Sequence, residues 1–441
     1  MPTQQQDTTV QPSGDGTAPF SVSMVGLGYI GLPTAVLLAN SGIPVTGIDT
    51  NEATVEAINS ERVRHFEPGL QEALHEAISN GNLRARTDYV HTDVYIIAVP
   101  TPANADHSVD VSFIDAAADA IAPHLEGNEL IILESTSPPL TTRRVADRIT
   151  AARPDLIADS PDAQTNSDLP RVYFAHCPER ILPGSALTEL VTNDRIIGGA
   201  TPEATRRATA VYATFCEGEL LPTNDVTAEM AKLTENSFRD VNIAFANELS
   251  LIADTLDINV WELIELANHH PRVNILQPGP GVGGHCIAVD PWFIVSTDPA
   301  NSRLIRAARE VNDHKPVWVR DQIGATIARV QERPATTQVS VALLGLAFKA
   351  NIDDLRESPS LAIATESART FPQVSFLAVE PNIDELPEQL AELPNVKQSD
   401  LDTALREAQV IVLLVDHREF TAVPATALKG KQIVDTKGIW V

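Results

Sequence analysis

Positive charge is in short supply in this chain. Its 441 residues hold 32 lysines and arginines against 59 aspartates and glutamates, a net charge of −27. Only seven of the basic residues are lysines, and none precedes Lys232. Such a surface repels phosphate backbones and anionic bilayers, which argues against nucleic acid and membrane as partners. The acid is spread along the chain rather than gathered in a tail. It therefore reads as adaptation to very high salt, where self-repulsion is screened. Cysteine is scarce too: Cys177, Cys216 and Cys286 give no disulfide framework and no metal-ligand spacing. No metal is expected, and a reducing cytoplasm fits best. Apolar runs of about eighteen residues, the length a membrane span needs, are missing as well. The N-terminus lacks the basic and apolar regions of a signal peptide, and its polar composition predicts a disordered tail over residues 1–19.

What remains is enough for two or three globular domains. "FSVSMVGLGYIGLPTAVLLANSGIPVTGIDT" predicts a strand up to Val25, a glycine turn, a helix over Leu32–Asn40 and a second strand ending in Asp49. Gly26, Gly28 and Gly31 complete GxGxxG, with the acid 21 positions after Gly28. Glycine lets a pyrophosphate approach the backbone at a helix N-terminus. Asp49 would accept from both ribose hydroxyls and repel a 2′-phosphate, which selects NAD over NADP. "DVYIIAVPTP", "ELIILESTSPP", "VYFAHCPER" and "RIIGG" read as further strands of a parallel sheet, and residues 150–170 as a surface loop or the tail of a helix.

From Val226 to Leu256 apolar residues recur at three and four positions without proline or glycine, which predicts a long helix. A second helical stretch covers residues 301–330. The end of the chain restarts an α/β alternation without GxGxxG, so it binds something other than a dinucleotide, or only its nucleotide part. The fold expected is α/β: two Rossmann-like doubly wound domains joined by a central helical domain with a long connecting helix. The boundaries expected are 20–205, 206–320 and 321–441.

The stretch "PGPGVGGHCIAVDPWF", residues 278–293, carries the chemistry. Gly279, Gly281, Gly283 and Gly284 leave no side chains to block a substrate, while Pro278 and Pro280 stiffen the approach. Cys177 and Cys216 read as small core residues. Cys286 reads as a nucleophile, because glycines give it little to pack against and a turn opening into a helix favours a thiolate. Asp290, halted by Pro291, reads on its own as a helix or turn cap. Lys232 and Asn236 lie four apart, hence on one helical face, and spacing alone leaves them a solvated pair.

GLGYIGLP, VPTP, EST, CPER, AKLTEN, GVGGHC with VDP, and GLAFKANIDDLRESP occur in that order between residues 26 and 359. Together they resemble the UDP-glucose/GDP-mannose dehydrogenase family over nearly the whole chain beyond the tail. "HHPRVNILQPGPGVGGHCIAVDPWF" resembles its UDP-N-acetylmannosamine branch. The resemblance implies oxidation of a sugar C6 alcohol to a carboxylate in two steps with two NAD⁺. Cys286 matches the family's nucleophile, and Lys232 the lysine that stabilises oxyanion charge. Asn236 matches its helical neighbour at the C6 oxygen. Asp290 matches the carboxylate that moves a proton. Glu179 matches a glutamate near the reacting carbon, and Thr136 a hydroxyl that orders water.

The same resemblance places Gly26, Gly28, Tyr29, Ile30, Gly31, Asp49, Thr101, Thr136 and Arg356 at the cofactor. It places Glu179, Arg180, Lys232, Asn236, Arg272, Gly283 and Lys349 at the UDP-sugar. Arg272 matches an arginine that reaches a neighbouring subunit's substrate, which implies a homodimer. UDP-glucose or UDP-N-acetylglucosamine stays open as substrate. A 3-hydroxyacid-type dehydrogenase would leave Cys286 and the C-terminal half idle. A non-catalytic NAD-binding regulator would be expected to have lost the cysteine, the lysine or the aspartate.

Overall fold

VSMV, VYII and LIIL are buried from end to end, without the in–out alternation of a one-sided sheet. Strands of this kind need helices on both faces of a parallel sheet. The computed structural model describes residues 20–63, 67–104, 106–161, 168–181, 184–284, 286–333 and 338–440. The tail 1–19, residues 162–167 of the expected surface loop and His285 lie outside the described residues. The chain forms two compact units, one up to Leu233 and one from Thr234 on.

The first unit holds one sheet. Its strands are β1 (Val22–Val25), β2 (Val45–Ile48), β3 (Leu83–Arg86), β4 (Val94–Ile97), β5 (Leu130–Leu133), β6 (Ile157–Ala158), β7 (Arg171–His176), β8 (Arg195–Gly199) and β9 (Leu220–Asn224). The spatial order is β3-β2-β1-β4-β5-β7-β8-β9, with β6 beside β7. The order reverses between β1 and β4, the switch point at which doubly wound sheets bind nucleotides. Helix α1 (Gly31–Asn40) follows β1 and is buried along most of its length.

Two sequence expectations change here. β8 runs antiparallel to β7, not parallel. An apolar strand looks the same read in either direction, so "RIIGG" carried no sign of it. The segment 150–170 is not all loop: it contains β6, which pairs Ile157 with Arg171.

Helix α2 (Asp225–Leu256) is the expected long helix, unbroken for 32 residues. The second unit continues with α3 (Asp290–Thr297) and α4 (Arg303–Gln331), the latter with Pro316 inside it. Its sheet is β12-β11-β10-β13-β14, all parallel, built from β10 (Ser340–Leu344), β11 (Ser375–Val379), β12 (Val396–Gln398), β13 (Val410–Leu413) and β14 (Gln432–Asp435). This is the first unit's β3-β2-β1-β4-β5 order over again. Helix α5 (Pro359–Thr370) follows β10 and its loop, capped by the Ser358 hydroxyl, which accepts from the Leu361 N–H.

The two sheets also share a turn. Gly26 and Gly345 both have φ +93°. Each donates its N–H to the last carbonyl of the adjacent strand, Gly26 to Ile48 at 2.8 Å and Gly345 to Val379 at 2.9 Å. The next residue's N–H then meets the acid at that strand's tip, Leu27 to Asp49 and Leu346 to Glu380.

Candidate active site

The three motif glycines do different work. A Cβ on Gly26 would lie 2.6 Å from the Ala98 carbonyl oxygen, and one on Gly31 1.9 Å from that of Gly26. Both are needed for the turn to close on its neighbours. A Cβ on Gly28 would meet nothing within 4 Å. The turn is therefore open only at its middle glycine, where the free N–H groups of α1 begin. Half-buried Asp49 is steadied by Leu27 N–H at Oδ2 (3.0 Å) and Asn51 N–H at Oδ1 (2.9 Å). Ile30 occupies the N-cap of α1. Thr101 Oγ1 donates to the Thr136 carbonyl at 2.7 Å, joining two of the residues expected at the cofactor. An open glycine turn facing a helix N-terminus, with a fixed acid at the next strand tip, fits a dinucleotide.

Tyr29 is committed elsewhere. Its hydroxyl donates to Glu67 Oε2 at 2.9 Å and accepts from the Gly184 N–H at 3.1 Å. Burial, then the Glu67 carboxylate, raises its pKa above the usual tyrosine range. Glu67 itself also accepts from the N–H groups of Gly184 and Ala186, tying the chain after CPER to the glycine turn. Sequence reasoning missed Glu67, since an isolated glutamate in "HFEPGL" carries no signal of burial.

The structure brings Lys232 and Glu179 together: Nζ lies 3.5 Å from Oε1, with both side chains buried. Arg180 instead donates to the Asp194 carbonyl at 3.0 Å. Deeper in, Arg195 donates to Glu134 Oε1 at 2.8 Å and lies over the Tyr212 ring. Burial pushes Glu134 up, with the Arg195 charge opposing it. One helical turn before Lys232, Glu229 accepts from Leu140 N–H, Thr142 N–H and Thr142 Oγ1. Burial raises it to about 6. Cys177 is fully buried and Cys216 packs against the same core, as expected of small core residues.

In the second unit Cys286 is exposed. Its carbonyl accepts from the Asp290 N–H at 2.8 Å, so the cysteine sits one turn ahead of α3. Asp290 opens that helix. It is nevertheless more than a cap, because its buried side chain accepts from Asn236 Nδ2 at 2.5 Å. Spacing alone left Asn236 a surface residue, whereas the structure turns it toward this carboxylate.

The bare backbone before Cys286 has a reason beyond substrate access. A Cβ on Gly281 would lie 2.8 Å from Pro359 and 2.9 Å from Pro316, and one on Gly283 2.5 Å from the Glu357 carbonyl oxygen. Gly284, at φ +83°, faces the Phe348 ring. Glycine is required there because α4 and the loop after β10 already fill the space. Arg272, Lys349 and Arg356 are exposed, the last held by Asp354 through Nε (2.9 Å) and Nη2 (2.6 Å). That loop is pinned from below. The Asn351 N–H can only donate, so His417 Nδ1 accepts it (2.9 Å) and Nε2–H donates to Glu380 (3.0 Å). Burial opposes the Glu380 charge, but the His417 and Leu346 hydrogen bonds outweigh it and bring Glu380 down to about 2.

The fold and the open turn define a dinucleotide-binding protein of the NAD-dependent class. Residues 20–216 match the NAD binding domain of the UDP-glucose/GDP-mannose dehydrogenase family, residues 226–314 its central domain and residues 342–441 its UDP binding domain. The chain is 53% identical to the UDP-N-acetyl-D-mannosamine dehydrogenase of Salmonella typhi, covering 95% of this chain and 99% of that one. It is 50% identical to an NDP-N-acetyl-D-galactosaminuronic acid dehydrogenase of Ralstonia nicotianae, covering 95% and 96%. Among solved structures it resembles the UDP-N-acetyl-mannosamine dehydrogenase of Staphylococcus aureus, with TM-score 0.81, 41% identity and 95% of each chain covered. The chain belongs to the UDP-glucose/GDP-mannose dehydrogenase family. It is a NAD-dependent nucleotide-sugar dehydrogenase. Among the described residues, no helix is long and apolar enough to cross a membrane.

Proposed function

We propose that the chain oxidises the C6 alcohol of UDP-N-acetyl-D-mannosamine to the carboxylate of UDP-N-acetyl-D-mannosaminuronate. The observation that carries the chemistry is Cys286, exposed on its turn and one helical turn ahead of a buried, hydrogen-bonded Asp290. The substrate rests on the mannosamine dehydrogenases at 53% and 41% identity. NAD⁺, when bound, supplies the hydride acceptor for each oxidation.

The first oxidation removes a hydride from C6 and a proton from its hydroxyl, giving an aldehyde. An aldehyde has no good hydride to give until a nucleophile makes it tetrahedral. The Cys286 thiolate adds to C6, and the oxygen takes up a proton to give a thiohemiacetal. Loss of that proton and of the second hydride leaves a thioester on Cys286. Water attacks its carbonyl carbon and the C–S bond breaks, releasing the carboxylate and the thiol. Lys232 stabilises negative charge on the C6 oxygen, and Asp290, oriented by Asn236, relays protons. Glu179 and Thr136 position the reacting carbon and the water. Arg180, Arg272, Gly283 and Lys349 bind the UDP-sugar, and Arg356 supports the cofactor.

On this reading residues 20–205 bind NAD, 206–320 form the central helical domain and 321–441 bind UDP. The working form is a cytoplasmic homodimer. Support for the dimer comes from α2, where Phe238, Phe245 and Ile252 recur every seventh residue and are 71%, 51% and 50% exposed, with Leu256 beyond them. An apolar seam of that period on a solvated helix suits a second helix of the same kind.

The Ralstonia relative favours a second reading, the same oxidation on another N-acetylhexosamine epimer. The test counts NADH formed per sugar consumed in molar KCl, which screens the chain's acidic surface. UDP-N-acetylmannosamine, UDP-N-acetylgalactosamine, UDP-N-acetylglucosamine and UDP-glucose are compared. Two NADH per sugar on the first alone is the expected result. Two on another sugar overturns the substrate, and one or none on all four overturns the thiol mechanism.

A further inference from the structure

A line of buried polar side chains runs from α4 through α2 to the start of the cysteine loop. Arg309 Nη1 donates to Asp240 Oδ1 at 2.6 Å. Asn312 Nδ2 donates to the same oxygen at 2.8 Å and to the Asp240 carbonyl at 3.1 Å. Asn247 Nδ2 donates to Asn312 Oδ1 at 2.9 Å, and Asn247 Oδ1 accepts from the Gly279 N–H at 2.9 Å. Arg309, Asp240, Asn312 and Asn247 are each at most 2% exposed.

This line has a direction. A backbone N–H can only donate and a carboxylate can only accept. With Gly279 at one end, Asn247 must present its oxygen there and its nitrogen to Asn312. Asn312 must then turn its nitrogen to Asp240, whose charge is balanced by Arg309. Each amide has one orientation, set by both ends. Burying so many polar groups is costly compared with packing leucines, and what it gives in exchange is a fixed geometry at one point. That point is the N–H of Gly279, seven residues before Cys286. From there the loop passes Gly281, pressed against Pro316 of the same helix α4. Asp240 also lies one helical turn beyond Asn236, the partner of Asp290.

We propose that Asn247, Asn312, Asp240 and Arg309 form a positioning relay that sets where the Cys286 loop passes α2, and through it the approach of the thiol to the aldehyde. The inference rests on the double-oxidation reading above. It makes a selective demand. The first hydride removal does not use the thiol, whereas addition to the aldehyde does. A loop displaced by about 1 Å costs the thiol step on the order of a hundredfold.

The test is Asn247→Ala, with Asp240→Asn as a second variant that touches the loop only through the relay. Enzyme in excess is mixed with UDP-N-acetylmannosamine and NAD⁺, the two NADH phases are timed, and free aldehyde is trapped with hydroxylamine. In both variants the first phase is expected to stay within about threefold of wild type, the second to slow by at least about tenfold, and trapped aldehyde to appear. A merely structural role would slow both phases together through loss of folded enzyme. That outcome, or no change in either phase, overturns the relay. Asn247→Ser, also too short to reach Gly279, replaces Asn247→Ala if that variant does not fold. A wild type that yields one NADH and no uronate overturns the double oxidation itself, independently of the relay.

Discussion

Asn236 Nδ2 lies 2.5 Å from Asp290 Oδ2, so a helix residue that spacing left solvated is the donor that orients a buried carboxylate. Replacing Asn236 with leucine leaves Asp290 buried without that donor. Stability is expected to fall by about 1–3 kcal/mol, seen as a lower urea midpoint. Turnover is expected to fall by roughly tenfold to a hundredfold, since proton transfer through a misoriented carboxylate suffers directly. Wild-type turnover in a folded variant would show that the chemistry does not need Asn236 to orient Asp290.

Cys286→Ser tests the nucleophile. A hydroxyl is far less nucleophilic than a thiolate at neutral pH, so uronate formation is expected to drop by roughly a thousandfold or more. One equivalent of NADH and a trappable aldehyde should still form. Full uronate yield at normal rate would sink the thioester route.

Asp49→Ala addresses the cofactor. The carboxylate's charged hydrogen bonds to ribose are each worth about 1.5–3 kcal/mol, so NAD⁺ binding should weaken about tenfold to a hundredfold by calorimetry. NADP⁺ should lose less, or gain, because the charge that repels its phosphate is gone. Equal losses for both would show that Asp49 serves the turn and not the ribose.

His176 gives a prediction about acid stability. Both ring nitrogens are buried without a hydrogen-bond partner among the described residues, and burial pulls the pKa down to about 3. The unfolded chain takes up this proton below about pH 6.5, whereas the folded chain resists it until about 3. Folding stability therefore falls as pH falls through that window. By pH 5 the loss is about 2 kcal/mol. His176→Leu should reduce the difference in unfolding free energy between pH 7 and pH 5 by about that amount. An unchanged difference would assign the acid sensitivity to other groups.

The exposed seam on α2 gives a prediction about assembly. Phe238→Glu combined with Phe245→Glu puts charges on the apolar stripe and should convert a dimer to monomers in sedimentation velocity, with the fold intact by circular dichroism. A wild type that sediments as a monomer, or a variant that stays dimeric, removes this face from the interface.

Much of this was legible in the sequence for definite reasons. The glycine turn and Asp49 stand between apolar strand and helix patterns at the spacing of a strand–turn–helix–strand unit, and α2 shows its period over 32 residues. The second sheet was expected, though not that it would repeat the first sheet's strand order. Other features left no trace. β12 (Val396–Gln398) is too short and polar to be seen as a strand. The direction of β8 depends on its partner rather than its own residues. Asp240 and Asn247 carry no sign of burial in the sequence, since polar side chains on a helix usually face solvent, and their partners Arg309 and Asn312 lie more than sixty positions away. The glycines near Cys286 were noticed, but the prolines and phenylalanine that make them necessary come from distant parts of the chain.

The shared turn of Gly26 and Gly345 bears on redesign. Grafting GxGxxG onto the C-terminal half would look sufficient to create a second dinucleotide site, since strand order, glycine conformation and strand-tip acid are already in place. It would fail at the acid. Asp49 is held by two backbone N–H groups and keeps one flank toward solvent. Glu380 already receives the N–H groups of Leu346, Ala347 and Asn382, the Asn382 amide and the His417 ring. It has no lone pair left for a ribose. An engineer would have to evict His417 first, and with it the pin beneath the loop of Lys349.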